Sequence, residues 1–137
     1  MPESALARKL KLKPGLRAAV INAPDGYLNE LRPLPTGVEM GQALRGKLGW
    51  AQVFVKNRAE LARQIPRIVR ALGPDSLVWI SFPKATSKIQ TDLTRDAGWE
   101  AVQSADLKWI SLVSVNDTWS AFALRPYKPG EARQSFR

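Results

Sequence analysis

Cysteine and histidine are both missing from the 137 residues. Without cysteine there can be no disulfide framework, no thiolate nucleophile and no zinc-thiolate site. Without histidine the usual metal ligand is gone, and so is the side chain best suited to moving protons near neutral pH. Ser-His-Asp catalysis and His-bearing zinc sites are therefore excluded; no metal, cofactor or catalytic residue is assigned, and a catalytic role would have to use Asp92, Asp117 or Lys84 as acid or base. No apolar run approaches the roughly 20 residues that span a membrane, so no membrane partner is expected. The N-terminal stretch MPESALARKLKLKPG has charges where a signal peptide needs its apolar segment, so the expected location is cytoplasmic.

Hydrophobic residues make up 45% and charged residues 24% of the chain, the composition of a globular protein. A chain of about 150 residues buries roughly 70% of the surface its unfolded form exposes, enough for a real core. The net charge of +9 is concentrated at the ends. Residues 1–17 carry five basic side chains and one acid, and residues 125–137 carry four and one. Such ends attract phosphates weakly. With only Tyr127 and Phe136 beside the C-terminal charges, weak non-specific nucleic-acid binding is the most that this distribution implies.

Strands and helices alternate along the chain. Ser4–Leu12 reads as a short basic helix, a lid or edge cover, closed by Lys13-Pro14-Gly15. Leu16–Asn22 reads as a buried strand broken by NAPDGY, with a short helix over Tyr27–Leu31. Val38–Met40 and Trp50–Val55 follow as strands. Asn57 caps a helix with Glu60 three residues on, and Leu61, Ile65, Ile68, Val69 and Leu72 form its apolar stripe. Pro66 is expected to kink that helix, and Gly73-Pro74 to end it. Ser76–Phe82 is the next strand, Asp92–Ser104 an amphipathic helix weakened by Gly98, and Lys108–Val115 with Trp119–Arg125 a hairpin turning at Asn116-Asp117-Thr118.

Strands separated by helices predict a Rossmann-like α/β three-layer sandwich. Its mostly parallel sheet of about six strands ends in a C-terminal antiparallel hairpin. Residues 1–126 form one domain on this reading, with residues 1–12 as an N-terminal helix and residues 127–137 as a loose basic tail. In such sheets ligands sit beyond the carboxyl ends of the parallel strands. Asn22, Lys56, Asn57 and the polar loop Lys84 to Thr94 lie at that edge, as does the hairpin turn with Asp117, Trp119 and Ser120.

Two motif-like patterns are weaker than they look. GQALRGKL, Gly41 to Leu48, fits GxxxxGK but has Leu48 where a phosphate loop needs Ser or Thr, and a strand follows where a helix is required. NAPDGY sits where a dinucleotide-binding protein carries its glycine-rich loop, yet it has one glycine, Gly26.

Five stretches, KLKLKPGLR, NAPDGY, LGPDSLVWISFPK, TDLT and VNDTWS, together resemble a family of small bacterial proteins catalogued as domain of unknown function 3052. The likeness covers about Leu6 to Arg125. It implies a fold and positions to test, not an activity. The order of elements also resembles class I S-adenosylmethionine methyltransferases, with one strand-helix unit missing and NAPDGY in place of the glycine-rich loop. That departure predicts no tight S-adenosylmethionine binding.

The sequence thus reads as a non-catalytic binding module for a small anionic or nucleotide-like ligand. Lys84 and Lys88 would supply charge, and Thr86, Ser87 and Thr91 hydroxyl donors. Amides near Asp92, at the start of a helix, and at Asn22 would complete the shell. Capping by Thr91 or Asp92, turn formation by Asp117 and core packing by Trp119 are the structural readings of the same residues. The competing classes are an atypical methyltransferase-like enzyme, a basic nucleic-acid-binding module, and an interaction module that presents exposed tryptophans.

Overall fold

The computed structural model describes residues 3–134; Ser135, Phe136 and Arg137 of the expected tail lie outside them, as do Met1 and Pro2. In chain order the elements are α1 (Ala5–Lys9), β1 (Arg17–Ile21), α2 (Tyr27–Leu31), β2 (Glu39–Gly41), β3 (Leu48–Phe54), α3 (Arg58–Ala71), β4 (Leu72–Pro83), α4 (Glu100–Ser104), β5 (Leu107–Ser114) and β6 (Trp119–Pro126). The strands form one sheet in the order β2-β1-β3-β4-β6-β5. The first four are mutually parallel, and β6 runs antiparallel to both β4 and β5. This is the mostly parallel Rossmann-like sheet, with its terminal hairpin, that the alternation of elements implied.

The central strands are nearly continuous apolar runs because both faces are covered. Successive side chains point to opposite faces. Ala18, Val20, Trp50, Phe54 and Trp79 pack on one side with Ala7 and Leu10 of α1 and Tyr27 and Leu31 of α2. Ala19, Ile21, Ala51, Val53, Val78 and Ile80 pack on the other with Leu61, Ile65 and Ile68 of α3 and Val102 of α4.

Helix α1 is part of the packed layer and not a lid. The Leu10 carbonyl, at its C-cap, accepts the indole N–H of Trp50 at 2.8 Å and of Trp79 at 2.7 Å. Two neighbouring strands thus hold one helix end. On the same face the Tyr27 hydroxyl donates to Gln52 Oε1 (2.7 Å), and Gln52 Nε2 donates to Ser81 Oγ (3.0 Å). Burial pushes the Tyr27 hydroxyl well above its ordinary pKa, the nearby Glu30 charge adding to it against the opposing hydrogen bond to Gln52. Tyr27 is therefore a neutral donor that keeps a buried glutamine satisfied.

Helix α3 begins where Asn57 implied. The Asn57 side chain accepts from the Glu60 N–H at 2.9 Å. The helix runs on through the exposed Pro66. It passes into β4 at Leu72, four residues before the expected strand start. Replacing Asn57 with Ala removes the cap, and equilibrium denaturation should show a loss of about 1 kcal/mol.

Two further expectations are corrected. The helix over Asp92–Ser104 is reduced to Glu100–Ser104. Gly98 has φ +103°, outside any helix, and a Cβ there would stand 2.8 Å from Leu93 Cδ1, so the chain cannot be helical through residue 98. The stretch Tyr127–Gln134 is not loose. Gln134 receives the Trp109 N–H on Oε1 (2.9 Å) and donates through Nε2 to the Trp109 carbonyl (3.0 Å), pairing with the outer edge of β5. Glu131 accepts two bonds from Arg125 (2.9 and 2.7 Å) and one from Lys108 (2.6 Å).

Candidate functional site

The chain leaves β1 for α2 on one face of the sheet and leaves β3 for α3 on the other. The two connections diverge at adjacent strands, which opens a crevice at their carboxyl ends. Asn22, the first residue past β1, starts the divergence with φ +59°, a left-handed conformation that asparagine tolerates better than most residues. Asn22 lines three adjoining clefts. The turn that follows is closed by a bond from the Tyr27 N–H to the Pro24 carbonyl (3.0 Å).

The first cleft, about 500 Å³, lies between the NAPDGY turn, the end of β3 and the hairpin. Its aromatic floor is Phe54 and Trp119, packed edge to face with centroids 5.0 Å apart, and Tyr27 supports Phe54 from behind at 4.7 Å. Asp25, Lys56, Glu60 and Thr118 supply its polar groups, and Ile89 closes one side. The second cleft, about 580 Å³, shares Asn22, Ala23, Pro24 and Asp25 with the first and continues along the turn to Asn29, Arg32 and Gln42. The third, about 630 Å³, lies on the α3 side, between Gln42 to Gly46 and the residues Gln64, Arg67 and Arg70.

Of the residues that the sequence singled out, the crevice unites Asn22, Lys56 and Trp119. Asn57 is engaged as the α3 cap. Lys84 turns away, its ammonium donating to Ser114 Oγ at 2.6 Å and its backbone N–H to the Thr118 carbonyl at 2.8 Å. Ser87 donates to the Lys84 carbonyl (2.7 Å), and Thr91 Oγ1 accepts the Leu93 N–H (3.0 Å), so both shape the loop locally. Thr86, Lys88 and Asp117 are exposed and Ser120 is half-buried; none of the four borders the 500 Å³ cleft.

Asp92 caps no following helix and offers no helix amides, because α4 starts only at Glu100. Instead its Oδ1 accepts the Arg58 N–H at 2.9 Å, in the first turn of α3, while Arg58 Nε donates to the Asp92 carbonyl (2.9 Å). The polar loop is thus fastened to α3, and its single isoleucine, Ile89, is what it contributes to the cleft. Nor do the tryptophans form an exposed docking surface. Trp50, Trp79, Trp99 and Trp119 are buried, and Trp109 is half-buried in a ring cluster with Trp99 and Phe122.

Several cleft residues carried no signal as isolated letters. Asp25 and Glu60 read as turn and helix-start residues, and Gln42 and Arg45 sit inside the dismissed GxxxxGK match. Lys47 of that match is engaged at a helix end: its ammonium donates to the carbonyls of Arg70 (3.0 Å) and Leu72 (3.2 Å) at the end of α3.

Several solved methyltransferase structures share this fold. A SAM-dependent methyltransferase from Aquifex aeolicus is similar over 88% of this chain and 89% of its own, with a TM-score of 0.59 and 11% identity. A ribosomal protein L11 methylase from Lactobacillus delbrueckii subsp. bulgaricus is similar over 89% of this chain and 76% of its own (TM-score 0.54, 12% identity). A LepI variant, in complex with SAH and a substrate analogue, matches 89% of this chain at TM-score 0.53 and 14% identity, and this chain spans only 39% of its length. No family model matches the sequence, and no curated protein does. At these identities the likeness establishes the architecture alone. No helix among the described residues is long and apolar enough to cross a membrane.

Proposed function

We propose that this chain is a binding domain of the methyltransferase fold that holds an adenosyl ligand, S-adenosylmethionine or S-adenosylhomocysteine, across the crevice between β1 and β3. The observation that carries this reading is the composition of the 500 Å³ cleft at the switch point, where acids, a lysine and an aromatic floor meet in a fold shared with SAM-dependent methyltransferases.

The residues present suit the chemistry of such a ligand. Asp25 and Glu60 match its ammonium, and Lys56 its carboxylate. The aromatic floor of Phe54 and Trp119 suits a sulfonium cation. Asn22 and Gln42, at the ends of β1 and β2, can bond ribose hydroxyls in the adjoining cleft. Asn22, already left-handed, makes the tight turn for which a glycine is usual. Bound there, S-adenosylmethionine would supply an electrophilic methyl group. The chain's own part would be to orient it and to exclude water. Because Gly26 is the turn's single glycine, the backbone does not approach the ligand over a long stretch, and modest affinity is expected.

Isothermal titration with S-adenosylhomocysteine tests this. Saturable one-to-one binding is expected. Asp25→Ala and Lys56→Ala should each weaken it about tenfold, the equivalent of about 1.4 kcal/mol for a charge-assisted contact. Lys84→Ala, a change in the loop after β4, should leave it unchanged. No heat for either adenosyl compound at millimolar concentration overturns the reading.

A further inference from the structure

The α3-side cleft has a different chemistry from the rest of the crevice. Its walls bring together Arg45, from the loop between β2 and β3, and Arg67 and Arg70, from α3. No Asp or Glu lines it. Among the described residues none of these three side chains makes an ion pair, nor do Arg17, Arg32 and Arg63, whereas Arg8, Arg58, Arg95, Arg125 and Arg133 do. In the same wall Gln64 Oε1 is buried without a hydrogen-bond donor.

Among the described residues the fold offers this gathering no counter-charge. Arg67 and Arg70 are spaced i, i+3 on one helix, where like charges oppose folding. A cation near the C-terminus of α3 would ease the helix dipole, but Lys47 already meets the terminal carbonyls of Arg70 and Leu72. Arg67 lies a turn further in, and Arg45 is on another element. The loop reaches this wall because Leu44 packs on the α3-side core, which holds the neighbouring Arg45 opposite the helix. Three planar donor forks with no acceptor of their own are suited to a phosphate group. Rotation of the half-buried Gln64 side chain would let its unpaired oxygen accept a donor from the occupant, such as a hydroxyl. A volume of about 630 Å³ is that of a small-molecule site.

We propose that this cleft binds a phosphorylated small molecule of nucleotide size. Arg45, Arg67 and Arg70 hold its phosphates, and Gln64 accepts one of its hydroxyls. The cleft adjoins the adenosyl site and shares Asn22 and Gln42 with it, but S-adenosylhomocysteine has no phosphate and its charged groups are assigned to Asp25 and Lys56.

The test is calorimetric titration of the full chain with ADP and, separately, with inorganic pyrophosphate at physiological salt. Both should bind saturably. Arg45→Gln, Arg67→Gln and Arg70→Gln should each weaken both about tenfold or more, while Arg63→Gln, an exposed α3 residue outside the cleft, should change neither by more than about twofold. Gln64→Ala should weaken ADP and spare pyrophosphate. The three arginines are exposed, so thermal melts of their variants should match the parent. Absence of saturable binding by either probe, or equal weakening by Arg63→Gln, overturns the site. Equal response of the two probes to Gln64→Ala overturns the hydroxyl contact.

Discussion

Trp79→Ala is expected to lower the stability of the fold by about 3–5 kcal/mol, the usual cost of truncating a large buried aromatic. Trp79 is fully buried at the centre of the sheet, and with Trp50 it forms the floor on which α1 rests. Its loss opens a cavity and also removes one of the two indole donors from the Leu10 carbonyl. That is a large part of the roughly 5–15 kcal/mol that typically holds a domain together. Trp79→Phe separates the two contributions: it keeps most of the ring and deletes the N–H, while Trp50 still serves the carbonyl, so it should cost about 1 kcal/mol. Urea denaturation of both variants checks this. An alanine variant less than about 1.5 kcal/mol weaker than the parent would mean that α1 is not anchored as described.

The second large effect concerns residues 127–134. Deleting the chain from Tyr127 onward should destabilise the fold, because it strips an edge strand of its cover. Gln134 alone makes two bonds to the Trp109 backbone, together worth about 1–3 kcal/mol. Ile110 and Leu112 of β5 are already partly exposed, so an uncovered edge should also promote self-association. Glu131 adds a pH signature. Hydrogen bonds from Arg125, Lys108 and the Lys128 backbone N–H, strengthened by the Arg125 charge, hold its carboxyl far below the usual carboxylate range. A depressed pKa contributes stability that is present above the unfolded value of about 4.3 and is lost as pH falls below it toward the folded value. Glu131→Gln should therefore narrow the stability difference between neutral and acidic solution. Identical acid-denaturation profiles for parent and variant would contradict the role given to Glu131.

The sequence made the architecture legible because its periodicities were clean. Two buried strands, RAAVI and VWISFP, and the Asn57-capped amphipathic helix each obey one local rule, and tertiary contacts agree with it. The expected helix over Asp92–Ser104 failed at Gly98, which takes φ +103° with Leu93 and Arg58 filling the space where a Cβ would stand. The tail escaped notice because its attachment is polar. Gln134, Glu131 and Arg133 leave no trace in an apolar pattern, and Arg133 finds its partner Asp106 27 residues away.

For the candidate site the edge was readable and most of its residues were not. Strand order predicts which end of the sheet carries a crevice, and Asn22 and Lys56 follow from that. Which side chains turn inward depends on bonds that a sequence does not display. Lys84 is drawn to Ser114 and Asp92 to Arg58, so the most polar segment of the chain works largely as a brace. Of the arginines of the α3-side cleft, Arg45 is 22 residues or more from Arg67 and Arg70 and meets them because a six-residue loop, 42–47, joins β2 to β3 without a helix.

The most direct measurement is a map of amide chemical-shift changes in the labelled protein on addition of S-adenosylhomocysteine. Changes that saturate together and centre on Asn22 to Gly26, Lys56 and Trp119 are the expected result. Saturating changes centred on Lys84 to Lys88, or none at all at millimolar ligand, would contradict an adenosyl site in the crevice between β1 and β3.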